Sequence, residues 1–134
     1  TFIKNNISGK ETFLHANAGI RTFQNNGLTI ANDWEDFPDK GKGEASGVFI
    51  ENGKFRVPTL RNIAKTAPYM HDGRFNTLEE VMEHYISGGH PSIGKSAFMD
   101  SIFLNQFEVE AVIDFMHTLT DEEFLIDDRY SDPN

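Results

Sequence analysis

No cysteine occurs among the 134 residues, so the chain forms no disulfide, builds no zinc-thiolate site and offers no thiol nucleophile. That absence fits any redox compartment. No apolar run approaches the roughly 18 residues of a membrane span, and none resembles the apolar core of a signal peptide. Basic residues are scarce, 12 Lys and Arg against 21 Asp and Glu, for a formal charge of −9. Such a balance argues against nucleic acid and anionic membranes as partners and leaves room for a basic one. No H-E-x-x-H pattern or paired-carboxylate spacing supports zinc or hydrolase chemistry. Internal repeats and the strand-helix alternation of a parallel sheet are lacking too. The chain begins at Thr1 rather than Met, which sets the expectation of further sequence upstream.

What is present argues for a packed interior. Thirty-eight percent of residues are hydrophobic, twelve of them phenylalanine, and the length suits one domain over residues 1–134. Residues 1–22 show no sustained period, and a short helix is expected near residues 9–15. Asn25-Asn26-Gly27 signals a turn. Residues 32–47 are polar, acidic and glycine-rich, and read as a long surface loop, so the first 50 residues are expected to be loop-rich or rearranged.

Pro58 is expected to open a short helix after an extended approach, with Pro68 ending it. Asn76 or Thr77 then caps a helix whose Leu78, Val81, Met82 and Tyr85 share one face, and which stops at Gly88-Gly89. Asn105 precedes a second helix carrying Val109, Val112, Ile113, Met116 and Leu119 on one side. Thr120 is expected to cap a last helical turn, with Glu123 completing the box. The acidic run toward the end, Asp121-Glu122-Glu123 and Asp127-Asp128, reads as a solvated helix end and tail.

Gly89-His90-Pro91-Ser92-Ile93-Gly94-Lys95-Ser96 matches the phosphate-cradling pattern G-x-x-x-x-G-K-[ST]. That motif needs a buried strand before it and a helix after it. The residues ahead have helical periodicity instead, so the match is expected to be chance. Of the five histidines, His84 and His117 lie off the apolar helix faces and are expected at the surface, and His90 sits in a loop. Met82 and Met99 are soft ligands in principle and core filler by composition.

Phe55-Arg56-Val57-Pro58-Thr59-Leu60-Arg61-Asn62-Ile63, Thr66-Ala67-Pro68-Tyr69-Met70-His71-Asp72-Gly73 and Thr77-Leu78-Glu79-Glu80-Val81 together resemble the C-terminal haem domain of the bacterial di-haem cytochrome c peroxidase and MauG family. Weaker support comes from Phe23-Gln24-Asn25-Asn26-Gly27-Leu28, from residues 106–119, and from Arg129-Tyr130-Ser131-Asp132-Pro133. The resemblance implies an all-α, cytochrome c-like fold with three or four helices and long loops around a pocket. It also implies a periplasmic, peroxidase-type oxidoreductase with two c haems, in which this half carries the electron-entry haem. Its partners would be the N-terminal haem domain of the same protein and an electron-donor protein.

Residue by residue, the resemblance places Tyr85 at the axial-ligand position, where the peroxidases carry methionine and MauG a tyrosine. His71 falls in the haem-edge segment, and Arg61 suits a propionate or a cluster of carbonyls. On their own terms these are a core tyrosine with its hydroxyl at the rim, a turn histidine and a surface arginine. The carbonyls of Thr66 and Pro68 match calcium ligands at the family's domain interface. Two carbonyls fall well short of the six to eight oxygens calcium takes, so that site is expected to be empty or weak. The departure is at the anchor. A c-type haem needs C-x-x-C-H, and if His15 stood at its histidine, Glu11 and Leu14 would occupy the cysteine positions. Neither forms a thioether, so the chain is expected to be haem-free, through truncation or degeneracy.

Overall fold

Phe55–Arg56 form a short strand just ahead of Val57 and Pro58, where a proline disfavours helix in the residue before it. They pair antiparallel with Phe23–Gln24, Phe23 opposite Arg56 and Gln24 opposite Phe55. The structure, a computed structural model, describes residues 3–7, 10–14 and 23–130. Contacts divide the chain into two units, Thr1–Thr59 with His90–Ser96, and Leu60–Gly89 with Ala97–Asn134.

The first unit holds strands β1 (Ile3–Ile7) and β2 (Lys10–Leu14), the pair just named as β3 (Phe23–Gln24) and β4 (Phe55–Arg56), and helix α1 (Lys42–Ser46). β1 and β2 are antiparallel, with Ile3 opposite Leu14 and Ile7 opposite Lys10. The helix expected near residues 9–15 is therefore a strand. Ile7 and Lys10 are separated by two residues, Ser8-Gly9, the commonest hairpin spacing, and Thr12 and Phe13 favour an extended backbone. These ladders also correct the expectation of an all-α chain.

Residues 32–47 are more ordered than a surface loop. Asp33 caps a 3-10 turn, Trp34–Asp36, and the Asp36 carboxylate accepts from the backbone N–H groups of Asn32 and Asp33 at 2.8 and 2.9 Å. The exposed carboxylates of this stretch thus cap the start of a helical turn. Gly43 of α1 packs against buried Asn52, whose side-chain amide donates to the Trp34 carbonyl at 2.9 Å. A Cβ at Gly43 would stand 1.9 Å from Asn52 Oδ1, so only glycine fits there. Asn25 forms the expected turn, its Oδ1 accepting from Gly27 N–H at 2.9 Å.

The second unit holds α2 (Leu78–Ile86), α3 (Gln106–Thr118) and α4 (Glu122–Ile126). Both longer helices begin in reciprocal capping boxes, Thr77 with Glu80 and Asn105 with Glu108. Their apolar faces meet. Leu78 and Met82 of α2 join Ile113 and Met116 of α3 and Tyr69 in one buried cluster, with Ile63, Phe75, Val81, Val109 and Val112 packed on it. Each such side chain contributes about 1.5–3 kcal/mol when fully buried.

Three local expectations shift. Pro58 to Leu60 form no helix, and the helical turn is a 3-10 turn at Ile63–Lys65, because Asn62 takes a left-handed backbone (φ 57) that interrupts any helix begun earlier. α4 is capped by Asp121, whose carboxylate accepts from Phe124 N–H at 2.9 Å, one residue later than expected. Met82 and Met99 are buried core residues.

Candidate functional site

The three family-like segments lie in the second unit apart from residues 55–59, and so do Arg61, Thr66, Pro68, His71 and Tyr85. His15 lies outside the described residues. α2 sets the position of Tyr85. The capping box fixes the helix start, Leu78 and Met82 anchor its inner face, and Tyr85 follows on that face, half-buried, in the last turn. Gly88 and Gly89, both with positive φ, end the helix there, and their N–H groups donate to the Tyr85 and His84 carbonyls at 3.2 Å.

His84 corrects the expectation of a surface histidine. It is 8% exposed, 5.4 Å from the Phe75 ring and 5.9 Å edge-on from the Tyr85 ring. The helical wheel places it off the Leu78–Met82 face. Phe75 covers that flank because Tyr69 and Phe75 exchange backbone hydrogen bonds at 2.7 and 3.5 Å and fold the intervening turn back on the helix. His117 is exposed, as expected, and His90 in its loop is exposed too.

That turn presents His71. It lies exposed between Met70 and Gly73, both left-handed (φ 71 and 67). Beside it Asp72 accepts from Arg74 Nε at 2.8 Å, and the guanidinium holds the Asp72 carboxyl below the usual range. Burial, helped by the Glu79 carboxylate, pushes the Tyr69 phenol upward.

Arg61 is exposed and is placed by its neighbour. Asn62 N–H donates to the Leu119 carbonyl at 3.0 Å, and Asn62 Oδ1 accepts from Asp121 N–H at 2.6 Å. One asparagine thereby ties the Arg61 segment to the end of α3 and the cap of α4. The signal in the sequence for this role is the tolerance of asparagine for left-handed backbone.

Thr66 ends the 3-10 turn, its N–H and Oγ1 both donating to the Ile63 carbonyl at 3.2 and 3.1 Å. Pro68 follows through a cis peptide bond, and both residues are exposed. Among the described residues no group of three or more His, Cys, Asp or Glu could hold a metal ion. An open cleft of about 490 Å³ in the first unit, lined by Glu35, Lys40, Glu44, Phe49 and Asn52, touches none of the named site residues.

A phosphate cradle does not form at residues 89–96. The N–H groups of His90, Ile93 and Ser96 donate to the carbonyls of Gly27, Ala31 and Asn25 at 2.8 Å each, and that of Lys95 to Ser92 at 3.1 Å. These amides bind the chain itself. An α-helix precedes the segment and a 3-10 turn, Ala97–Ser101, follows it.

For a haem, the fit is partial. Tyr85 offers a phenolic oxygen and Arg61 a planar cation, but there is no cysteine to form a thioether bond to the porphyrin, so the residues of this chain do not fit a covalently held haem c. Among the described residues no helix is long and apolar enough to cross a membrane.

No family model matches the chain. Among curated proteins it is 41% identical over 76 residues to the cytochrome-c peroxidase IdrP1 of Pseudomonas sp. (strain SCT), covering 57% of this chain and 20% of that protein. It is 33% identical over 101 residues to the methylamine utilization protein MauG of Methylorubrum extorquens, covering 75% of this chain and 28% of the relative. Cytochrome c551 peroxidase of Nitrosomonas europaea is 34% identical over 86 residues, covering 64% and 23%. The chain thus spans between a fifth and three tenths of these relatives' lengths. A crystal structure of a MauG-like protein associated with microbial copper homeostasis superposes with a TM-score of 0.71 at 40% identity, covering 84% of this chain and 39% of that one. The helices and loops described here are therefore a cytochrome c-like fold, and over the stretch shared with these relatives the chain belongs to the di-haem cytochrome c peroxidase and MauG family.

Proposed function

We propose that this chain is the part of a periplasmic, peroxidase-type oxidoreductase that in the family carries the electron-transfer haem, and that by itself it holds no haem c and reduces no hydrogen peroxide. Residues 1–134 act as one domain in this reading. The observation that carries it is Tyr85, held at the end of a doubly capped and core-anchored α2, in a chain without cysteine. Its partners are an N-terminal haem domain and an electron-donor protein. Bound at such a place, a haem supplies one-electron chemistry, and a phenolate ligand stabilises the ferric state relative to a thioether. Arg61 would offer charge to a propionate of such a haem, and His71 would stand at its edge. The carbonyls of Thr66 and Pro68 contribute to a calcium site only when further oxygens come from outside the chain.

Visible spectroscopy and a peroxide assay on the purified chain test this. The expected result is no Soret band and no turnover, with added hemin giving a ferric spectrum that Tyr85→Phe alters. A chain purified with a covalent haem, or one that reduces peroxide after hemin addition, overturns the reading. A second reading, a haem-free interaction module on the same scaffold, is favoured by the exposed Phe103 and Phe107, 85% and 78% accessible. It predicts that hemin does not bind at all.

A further inference from the structure

The open cleft of about 490 Å³ in the first unit is lined by Asn52, a side chain only 2% exposed. The Asn52 Nδ2 group donates to the Trp34 carbonyl at 2.9 Å. Its Oδ1 lies against Gly43, which also lines the cleft, 1.9 Å from where a Cβ would stand. Among the described residues nothing donates to that oxygen. An enclosed amide carbonyl left without a donor is a place where a ligand N–H gains a hydrogen bond. Beside it Pro38 and Phe49 supply apolar surface, Phe49 being 59% exposed and edge-on to the Trp34 ring at 6.2 Å.

The charge of the lining says what the cleft takes. Lys40 Nζ meets Glu35 at 2.6 Å, so those two cancel. Glu44, exposed on α1, has no hydrogen bond or ion pair among the described residues. The other carboxylates of this stretch are occupied. Asp36 accepts from Asn32 and Asp33, Asp39 from Gly41 N–H at 2.8 Å, and Glu51 from Lys42 and Ser46. The lining thus keeps one uncancelled negative charge, that of Glu44, together with an open carbonyl acceptor and an apolar surface.

We propose that this cleft binds a small primary amine in its ammonium form, carried on an apolar body. An ammonium has three donors and no acceptor, which suits the Glu44 carboxylate and Asn52 Oδ1. The apolar body lies on Phe49 and Pro38, and a cleft of this volume is in the range that small ligands use. One uncancelled carboxylate with a lysine nearby is a poor place for a divalent metal ion, which takes six or more oxygens. Anions meet the charge of Glu44. The proposal goes beyond the haem reading and does not depend on it, since the cleft shares no residue with Arg61, His71 or Tyr85 and uses no cofactor.

The test is titration of the isotope-labelled chain with 2-phenylethylammonium, followed by amide shifts and by the fluorescence of Trp34, the single tryptophan. Shifts centred on residues 35–52, the Asn52 side-chain amide signals among them, should saturate by about 10 mM. 2-Phenylethanol keeps the ring without the charge, and ethylammonium the charge without the ring; each should bind about fivefold more weakly or worse. Glu44→Gln should weaken binding about fivefold with the melting temperature unchanged. Phe49→Ala should weaken it by about as much, read from the amide shifts, with signals outside the cleft unmoved. Glu110→Gln, in the other unit, should bind as the parent does. Failure to saturate, shifts centred elsewhere, 2-phenylethanol binding as tightly as the amine, tighter binding of calcium, or indifference to Glu44→Gln would each overturn the proposal. So would tighter binding of Nα-acetyl-lysine methylamide, which would give the cleft to a protein side chain instead.

Discussion

The Tyr69 hydroxyl donates a 2.9 Å hydrogen bond to the Ile63 carbonyl while its ring packs in the core with Leu78, Met82, Ile113 and Met116. One side chain thus joins the 3-10 turn beside Arg61, the turn that presents His71 and the helix that carries Tyr85. Tyr69→Phe keeps the ring and deletes the bond, leaving the Ile63 carbonyl to Thr66. The expected loss is about 0.5–1.5 kcal/mol, read from the urea midpoint at an unchanged slope.

The two capping boxes should count separately. Glu80 N–H donates to Thr77 Oγ1 at 3.2 Å, and Glu108 N–H to Asn105 Oδ1 at 3.0 Å. Thr77→Ala and Asn105→Ala should each cost about 1 kcal/mol. The caps sit on different helices and share no hydrogen bond, so the double variant should lose about the sum. A double loss well below that sum would show that α2 and α3 do not unfold as one unit.

Gly53 and Gly47 separate backbone strain from collision. Both have positive φ, 74 and 70. A Cβ at Gly53 would stand 2.2 Å from the ring of buried Phe37, whereas one at Gly47 meets nothing within 4 Å. Gly47→Ala should therefore cost about 1–2 kcal/mol, the left-handed penalty alone. Gly53→Ala should cost clearly more, by displacing Phe37, and thermal melts of the two variants side by side decide it.

Acid and alkali should act at different places. Asp72 beside Arg74, and Asp127 beside Arg129, have folded-state pKa values held below the usual one. A depressed carboxyl contributes fully above its unfolded value of about 3.9 and loses that contribution as pH falls through the folded value. Stability should fall below about pH 4, and Asp72→Asn should flatten that limb with little change at pH 7, as an exposed pair is worth about 0–1 kcal/mol. Tyr69 is raised, so its contribution is complete below the unfolded value of about 10 and is lost as pH rises past it. Tyr69→Phe should remove that alkaline dependence, measured as urea midpoints against pH.

The helices with long apolar periods were legible. Leu78, Met82, Ile113 and Met116 are buried where their spacing put them, and Thr77 and Asn105 cap as their side chains favour. Lys10–Leu14 was misread because its apolar residues fit no period and its partner strand, not its own pattern, makes it extended. His84 was misread because its burial comes from Phe75, which the Tyr69–Phe75 turn brings over the helix flank. Asn62 was passed over because its role is two hydrogen bonds to residues more than fifty positions away.

Local chemistry on the chain thus determined the helix faces, their caps, the acidic charge and the want of thioether anchors, since each follows from a residue and its near neighbours. Tertiary structure alone decided that the His90, Ile93 and Ser96 amides are spent on carbonyls of residues 25–31, that His84 is enclosed, and that Phe107 and Phe115 face water. Each of those depends on which distant segment arrives beside a residue, and spacing along the chain carries no record of that.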